Sequence, residues 1–279
     1  MRCLIGWWGL IVLVLSNLVV LSRPRFWLYL AGPFALGAAA SGAVFWVDPV
    51  FWLLFLFFLF PANVLLYGVN DFFDRDTDKF SSKKSGREFV FSGESWVLWS
   101  WVSCLVLGLL VAWWFSSWLV LGFLFLAVFY SAPPLRFKAR LLLDSWSNGL
   151  YVLPGFFSYV LFSGSLPAWW VVVGAWSWAA SMHLFSAIPD IVADKKAGLS
   201  TTAVVVGRAD ALRLCSVWWL LSLACAAFSA SWFSLLFVVY AVFPLVLVGR
   251  SQAVVSEAYW YFPLFNGLVG FVLFWAFLL

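Results

Sequence analysis

The chain has 279 residues, 65% of them hydrophobic and only 10% charged, with a formal net charge of +4. Soluble domains carry about 25% charged residues, so the composition excludes an ordinary soluble domain and calls for lipid as solvent. The small positive charge sits in a few loops and is no nucleic-acid footprint; the four cysteines lie in apolar runs at spacings that fit neither a metal site nor a disulfide framework.

In chain order, residues 1–25 come first. They hold a short basic start and an apolar run, with no small-residue cleavage site before "SRPRFW". This predicts an N-terminal hydrophobic segment, either interfacial or an extra helix, ahead of the main domain at 26–279. Nine apolar runs follow, near 26–47, 50–69, 95–116, 118–132, 146–163, 168–188, 211–230, 231–249 and 259–279. About 20 apolar residues cross a ~30 Å hydrocarbon core as a helix. The runs are continuous and lack the ~10-residue alternation of a membrane β-barrel, so the fold class is all-α, a polytopic membrane bundle of about nine helices.

The connections alternate in charge. Arg23 and Arg25, the 75–87 loop, the 136–140 loop, the 195–213 stretch and Arg250 are basic. The connections at 48–49, 116–117, 163–168 and 229–231 are nearly uncharged. The positive-inside rule places the basic set in the cytoplasm.

The stretch "NDFFDRDTD" at 70–78 ends the second run. Asp71, Asp74 and Asp78 are spaced i, i+3, i+7 and fall within about 60° of one another on a helix. Asn70 flanks that face, while Asp76 points away. Like charges gathered this closely repel unless a cation joins them, and hard oxygen ligands favour Mg²⁺, which takes one or two carboxylates plus substrate phosphates. A second pair, Asp190 and Asp194, is spaced i, i+4 in "IPDIVADKKAG". The two clusters hold six of the twelve acidic residues, both at cytoplasmic ends. Between them "YSAPPLRFKAR" at 130–140 delivers Arg136, Lys138 and Arg140 to the same side, where they can meet phosphate oxygens. Solvated loops and surface anchoring are the plainer readings of such charges, but ionisable residues at membrane depth are functional hypotheses by default.

"NDFFDRDTD", the second D-x-x-x-D at 190–194 and "YSAPPLRFK" between them, in this order across nine runs, resemble the UbiA superfamily of intramembrane prenyltransferases. The resemblance implies a bundle around a central cavity, capped by cytoplasmic loops and open laterally to lipid. It implies Mg²⁺ held by Asn70, Asp71, Asp74, Asp78, Asp190 and Asp194, the five aspartates being catalytic. The ions bind the diphosphate of an allylic prenyl donor, which ionises and is attacked by a lipophilic acceptor from the bilayer. Arg136, Lys138 and Lys195 are then the diphosphate-binding cations. Tyr67 and Tyr130, near the ends of the helices feeding the site, are candidates to stabilise the carbocation.

"SRPRFWLYLAGP" at 22–33, "HLFSAIPDIVADKKAGLSTTAVVVG" at 183–207 and "FN" at 265–266 are most similar to the lycopene elongase branch of C50 carotenoid synthesis. That branch implies dimethylallyl diphosphate as donor and lycopene as acceptor. An aromatic quinone precursor or a chlorophyll-type acceptor is the same-fold alternative. It would need polar groups deep in the cavity, for which Asn63, Asn148, Ser145 and Ser147 are the candidates. A transporter would carry its acids mid-helix, whereas here they cluster at helix ends beside basic loops. No residue announces itself as a base, and His183 reads as a packing histidine.

Overall fold

The computed structural model describes residues 14–74 and 91–279, and among these every regular element is helical. A helix at 14–21 leads through a 3-10 turn, Pro24–Phe26, into α1, Leu28–Ala40. Then come α2 (Pro49–Leu59), α3 (Pro61–Phe73), α4 (Ser95–Trp114) and α5 (Trp118–Phe129). The second half holds α6 (Leu153–Ser163), α7 (Trp169–Ala187), α8 (Arg208–Ala227), α9 (Leu236–Leu247) and α10 (Gln252–Leu278). Each of the nine apolar runs is thus helical over most of its length, α2 and α3 sharing one.

Among the described residues five stretches are long and apolar enough to cross a membrane: Pro49–Phe73, Ser95–Trp114, Trp169–Lys196, Arg208–Ala227 and Gln252–Leu278. The other four runs yield shorter helices, because their ends break regular bonding. The run 26–47 turns at Gly42, with φ 71°, and finishes in a 3-10 turn. The run 146–163 begins with the 3-10 stretch Ser147–Tyr151 before α6 takes over.

Polar side chains in the helical frame mostly serve backbone ends. Asp48, the lone acid in the uncharged connections, caps α2 by accepting from Val50 N at 2.8 Å. Pro61 has no N–H to continue the ladder from α2 into α3. Fully buried Asn63 compensates, its Nδ2 donating to the Phe58 and Leu59 carbonyls at 2.9 Å each.

Packing then closes the bundle. α1 lies against α6 on one side and α10 on the other, so the last helix meets the first. The α1–α6 crossing is a small-residue contact. A Cβ on Gly37 would fall 1.9 Å from the Gly155 carbonyl oxygen, and Ser158 Oγ donates across the crossing to Phe34 O at 2.5 Å. One apolar cluster fills the space among α1–α6, and a second fills that among α7–α10. Tyr29 and Tyr151 pack against both. The functional cavity opens beside these two tyrosines.

Candidate active site

A cavity of about 230 Å³ is walled by residues from α1, α3, α7 and α10 and by the segments that follow α3, α5 and α7. Asn70, Asp74, Asp190 and Asp194 all line it, so the two aspartate motifs, separated by more than a hundred residues of chain, reach one space. Tyr67, Tyr130 and Lys138 line it too.

The C-terminal turn of α3 sets the first motif. The helix ends at Phe73, and Asp74, its C-cap, folds its N–H back to Asn70 O at 2.9 Å. The Asp74 carboxylate, 4% exposed, pairs with Lys138 Nζ at 2.5 Å. Ser131 Oγ lies 2.5 Å from Asn70 Oδ1 and 3.2 Å from Asp74 Oδ2, stitching the segment after α5 to the end of α3. Lys138 arrives because this segment turns back on itself: Arg136 takes a left-handed φ of 40°, and Lys138 N bonds Tyr130 O at 3.0 Å. Burial raises the Asp74 carboxyl above its usual range, opposed by the Lys138 charge and hydrogen bond, the Ser131 hydroxyl and the Arg136 charge.

Asp71 goes elsewhere. Its fully buried carboxylate accepts from Arg23 Nη2 at 2.8 Å, and Asp71 is absent from the cavity lining. Helical spacing brings Asp71 and Asp74 to neighbouring directions, and the structure gives each a different cation. Asp78 lies outside the described residues, as does Asp76. Arg136 stands near enough to Asp74 to act on its charge but does not line the cavity. Lys195, beside Asp194, is exposed and outside the lining.

The second motif sits where α7 continues through a 3-10 turn, Ile188–Asp190, into the short helix Ile191–Lys196. Thr201 Oγ1 reaches Asp194 Oδ2 at 3.4 Å. Asp144, a buried acid that the motifs do not include, anchors this region. Its carboxylate accepts from Thr202 N at 2.8 Å and from Thr202 Oγ1 at 2.5 Å. That fixes the connection after α5 to the connection after α7, and with it the two basic and acidic walls of the site. Burial raises the Asp144 carboxyl, opposed by the Thr202 and Ser145 hydrogen bonds.

Arg23 is the site residue that sequence reasoning passed over, grouping it with the surface loop charges. Its left-handed backbone, φ 51°, turns the chain before Pro24, and its guanidinium lies 4.6 Å over the Tyr67 ring while holding Asp71. The doublet of arginines around Pro24 in "SRPRFW" was the available signal. The rest of the wall is aromatic and apolar, with Phe26, Tyr29, Tyr151, Tyr259 and Phe262 among its members.

Of the four candidate polar groups for an acceptor head group, only Asn148 lines the cavity, and its Nδ2 is taken by Asp144 O at 2.5 Å. Among the described residues no three His, Cys, Asp or Glu side chains form a metal cluster. The motif residues that line it, Asn70, Asp74, Asp190 and Asp194, offer oxygens from one amide and three carboxylates. That set fits a Mg²⁺ ion that shares its coordination with substrate phosphates rather than one caged by protein.

Residues 26–259 match the model of the UbiA prenyltransferase family. A lycopene elongase/hydratase of Halobacterium salinarum is 47% identical over 269 residues, covering 91% of this chain and 94% of its own. One of Corynebacterium glutamicum is 34% identical over 212 residues, covering 72% of this chain and 73% of its own. Among solved structures, a UbiA homologue from Archaeoglobus fulgidus bound to DMAPP and Mg²⁺ superposes with a TM-score of 0.70 at 21% identity, covering 93% of this chain and 98% of that one. An apo UbiA homologue from Aeropyrum pernix superposes with a TM-score of 0.66 at 18% identity, covering 91% of this chain and 97% of that one.

Proposed function

The chain belongs to the UbiA prenyltransferase family and is a prenyltransferase, and we propose that it transfers a dimethylallyl group from dimethylallyl diphosphate to lycopene in carotenoid biosynthesis, with Mg²⁺ as cofactor. The observation that carries this reading is one cavity with two kinds of wall: Asn70, Asp74, Asp190, Asp194 and Lys138 on one part, aromatic rings on the rest.

Asn70, Asp74, Asp190 and Asp194 would hold the metal, and Asp78, outside the described residues, would join them on the strength of the motif alone. When bound, Mg²⁺ acts as a Lewis acid on the leaving diphosphate. Lys138 and Arg23, which line the cavity, would take phosphate oxygens, while Arg136 and Lys195 stand outside the lining and act on the diphosphate by charge alone. Asp71 holds the Arg23 guanidinium in place. Tyr67 and Tyr130 offer their rings to the allylic cation, and the apolar wall excludes water that would trap it early. A hydrocarbon acceptor suits the wall, since Asn63, Ser145 and Ser147 are absent from it and the Asn148 amide that lines it donates to Asp144 O. The relatives' description as lycopene elongase/hydratases supports the same acceptor. We place the nine helical bodies across the bilayer with the basic loops, and hence the site, on the cytoplasmic side.

The test is a pigment mass spectrum from a host that accumulates lycopene and makes dimethylallyl diphosphate. C45 and C50 products are expected, lost in Asp74→Ala and Asp190→Ala at normal membrane levels. Full activity in either variant would sink the metal assignment. Unchanged lycopene with wild-type protein present would sink the acceptor.

A further inference from the structure

Resting on the lycopene reading above, we propose that Tyr130 and His183 form the proton-accepting pair that ends the reaction. Both line the cavity. The Tyr130 hydroxyl lies 3.1 Å from His183 Nε2, with the rings edge to face at 5.6 Å. His183 is the only imidazole in the chain. The carboxylates and cations of the described wall are committed elsewhere. Asp74 is paired with Lys138, Arg23 holds Asp71, and Asp190 and Asp194 are assigned to the metal. An imidazole is the group whose ordinary range lets it take a proton near neutral pH.

Prenyl transfer leaves a tertiary carbocation on the lengthened chain. If a proton is lost, a C–H bond next to the cation breaks and its electron pair becomes the new C=C bond. That proton passes to the Tyr130 oxygen as the phenol's own proton moves to His183 Nε2. If water adds, its oxygen lone pair makes the C–O bond, and the proton shed by the oxonium takes the same route. In both cases the positive charge ends on the imidazolium, and no oxidant or reductant is consumed. The route requires Tyr130 to donate to Nε2, which puts the resting imidazole proton on Nδ1. Tyr130 is the group that meets the reacting atoms, and His183 acts through it.

The test compares wild type, His183→Gln, Tyr130→Phe and the double variant in membranes, measuring turnover to C45 and C50 pigment and the KM for the donor. Glutamine keeps a hydrogen-bond acceptor for Tyr130 but takes no proton near neutral pH. Turnover is expected to fall about 100- to 10,000-fold in each single variant. Donor KM should stay within about twofold, and the double variant should fall no further than the worse single, because the pair acts as a unit. Wild-type turnover in His183→Gln overturns the pair, as does a double variant whose loss is the product of the two single losses. Tyr130→Phe leaves the histidine and the aromatic packing in place, so a poorly folding His183→Gln does not close the question: full turnover in Tyr130→Phe alone overturns the relay. Absence of pigment with wild-type protein is a different failure, that of the acceptor reading itself.

Discussion

Arg23 and Asp71 form a buried pair, 2.8 Å apart, that neither partner's own sequence neighbourhood reveals. A fully buried carboxylate is tolerable only with a cation and hydrogen bonds around it. Arg23→Ala removes the cation 2.8 Å from the Asp71 carboxylate and is expected to cost up to about 3–5 kcal/mol. Thermal unfolding in detergent measures this, and Arg23→Ala with Asp71→Asn should recover a large part of the loss. Asp74 and Lys138 are a similar pair with a different prospect. Lys138 balances the Asp74 charge in the described arrangement, and under the proposed function a metal and diphosphate would replace that pairing. Asp144 makes a pH argument. Its carboxyl is raised by burial, so the folded chain holds that proton to higher pH than the unfolded chain. Its contribution to stability therefore falls as pH rises through the window from the ordinary carboxylate value to the raised one, and is level above it. Asp144→Asn should flatten that dependence, as read by the unfolding midpoint against pH. A midpoint slope equal to that of wild type would remove Asp144 as its source.

Helices in this chain are limited by what their ends can bond to. The apolar run 50–69 gives two helices, α2 and α3, because Pro61 interrupts the ladder, and Asn63 repairs the break from within. This polar residue in an oily run bonds helix backbone and does not line the cavity. The α1–α6 crossing depends on the absence of side chains at Gly37 and Gly155, where backbone meets backbone. Gly37→Leu should destabilise by at least the ~1–3 kcal/mol of ordinary overpacking. The obstacle is a carbonyl, which cannot rotate aside, so α1 itself must shift. Because α1 carries Tyr29 into the cavity wall, turnover should drop together with the unfolding midpoint. An unaltered midpoint in Gly37→Leu would show that the crossing is looser than described.

Across the whole molecule, polarity is segregated by end. The exposed tryptophans Trp46, Trp113, Trp114, Trp118, Trp169 and Trp232 flank the uncharged connections, as amphipathic rings do at a membrane–water interface. The cavity's carboxylates and cations lie at the opposite helix ends, with the basic loops. If the basic end is cytoplasmic, a single cysteine placed at Ser165 in a cysteine-free background should react with an impermeant thiol reagent on intact cells. One placed at Ser200 should react only after permeabilisation. The reverse pattern would invert the orientation.

Much of this architecture was legible before any coordinates. Nine apolar runs, sorted connections and two aspartate motifs are local patterns, and lipid leaves helices as their main solution because backbone groups there must bond internally. The motif residues Asn70, Asp74, Asp190, Asp194, Tyr67, Tyr130 and Lys138 do line one cavity. What the sequence could not determine was which charge faces which. Asp71 and Asp74 look equivalent by spacing, yet one is held by Arg23 from 48 residues away and the other by Lys138. The stretches that contain Arg23, Asp144 and His183 name no partner for them. Their partners, Asp71, Thr202 and Tyr130, are brought by helix packing and not by chain proximity. Helical periodicity sets the direction of a side chain about its own axis; only the packed bundle decides what stands opposite it.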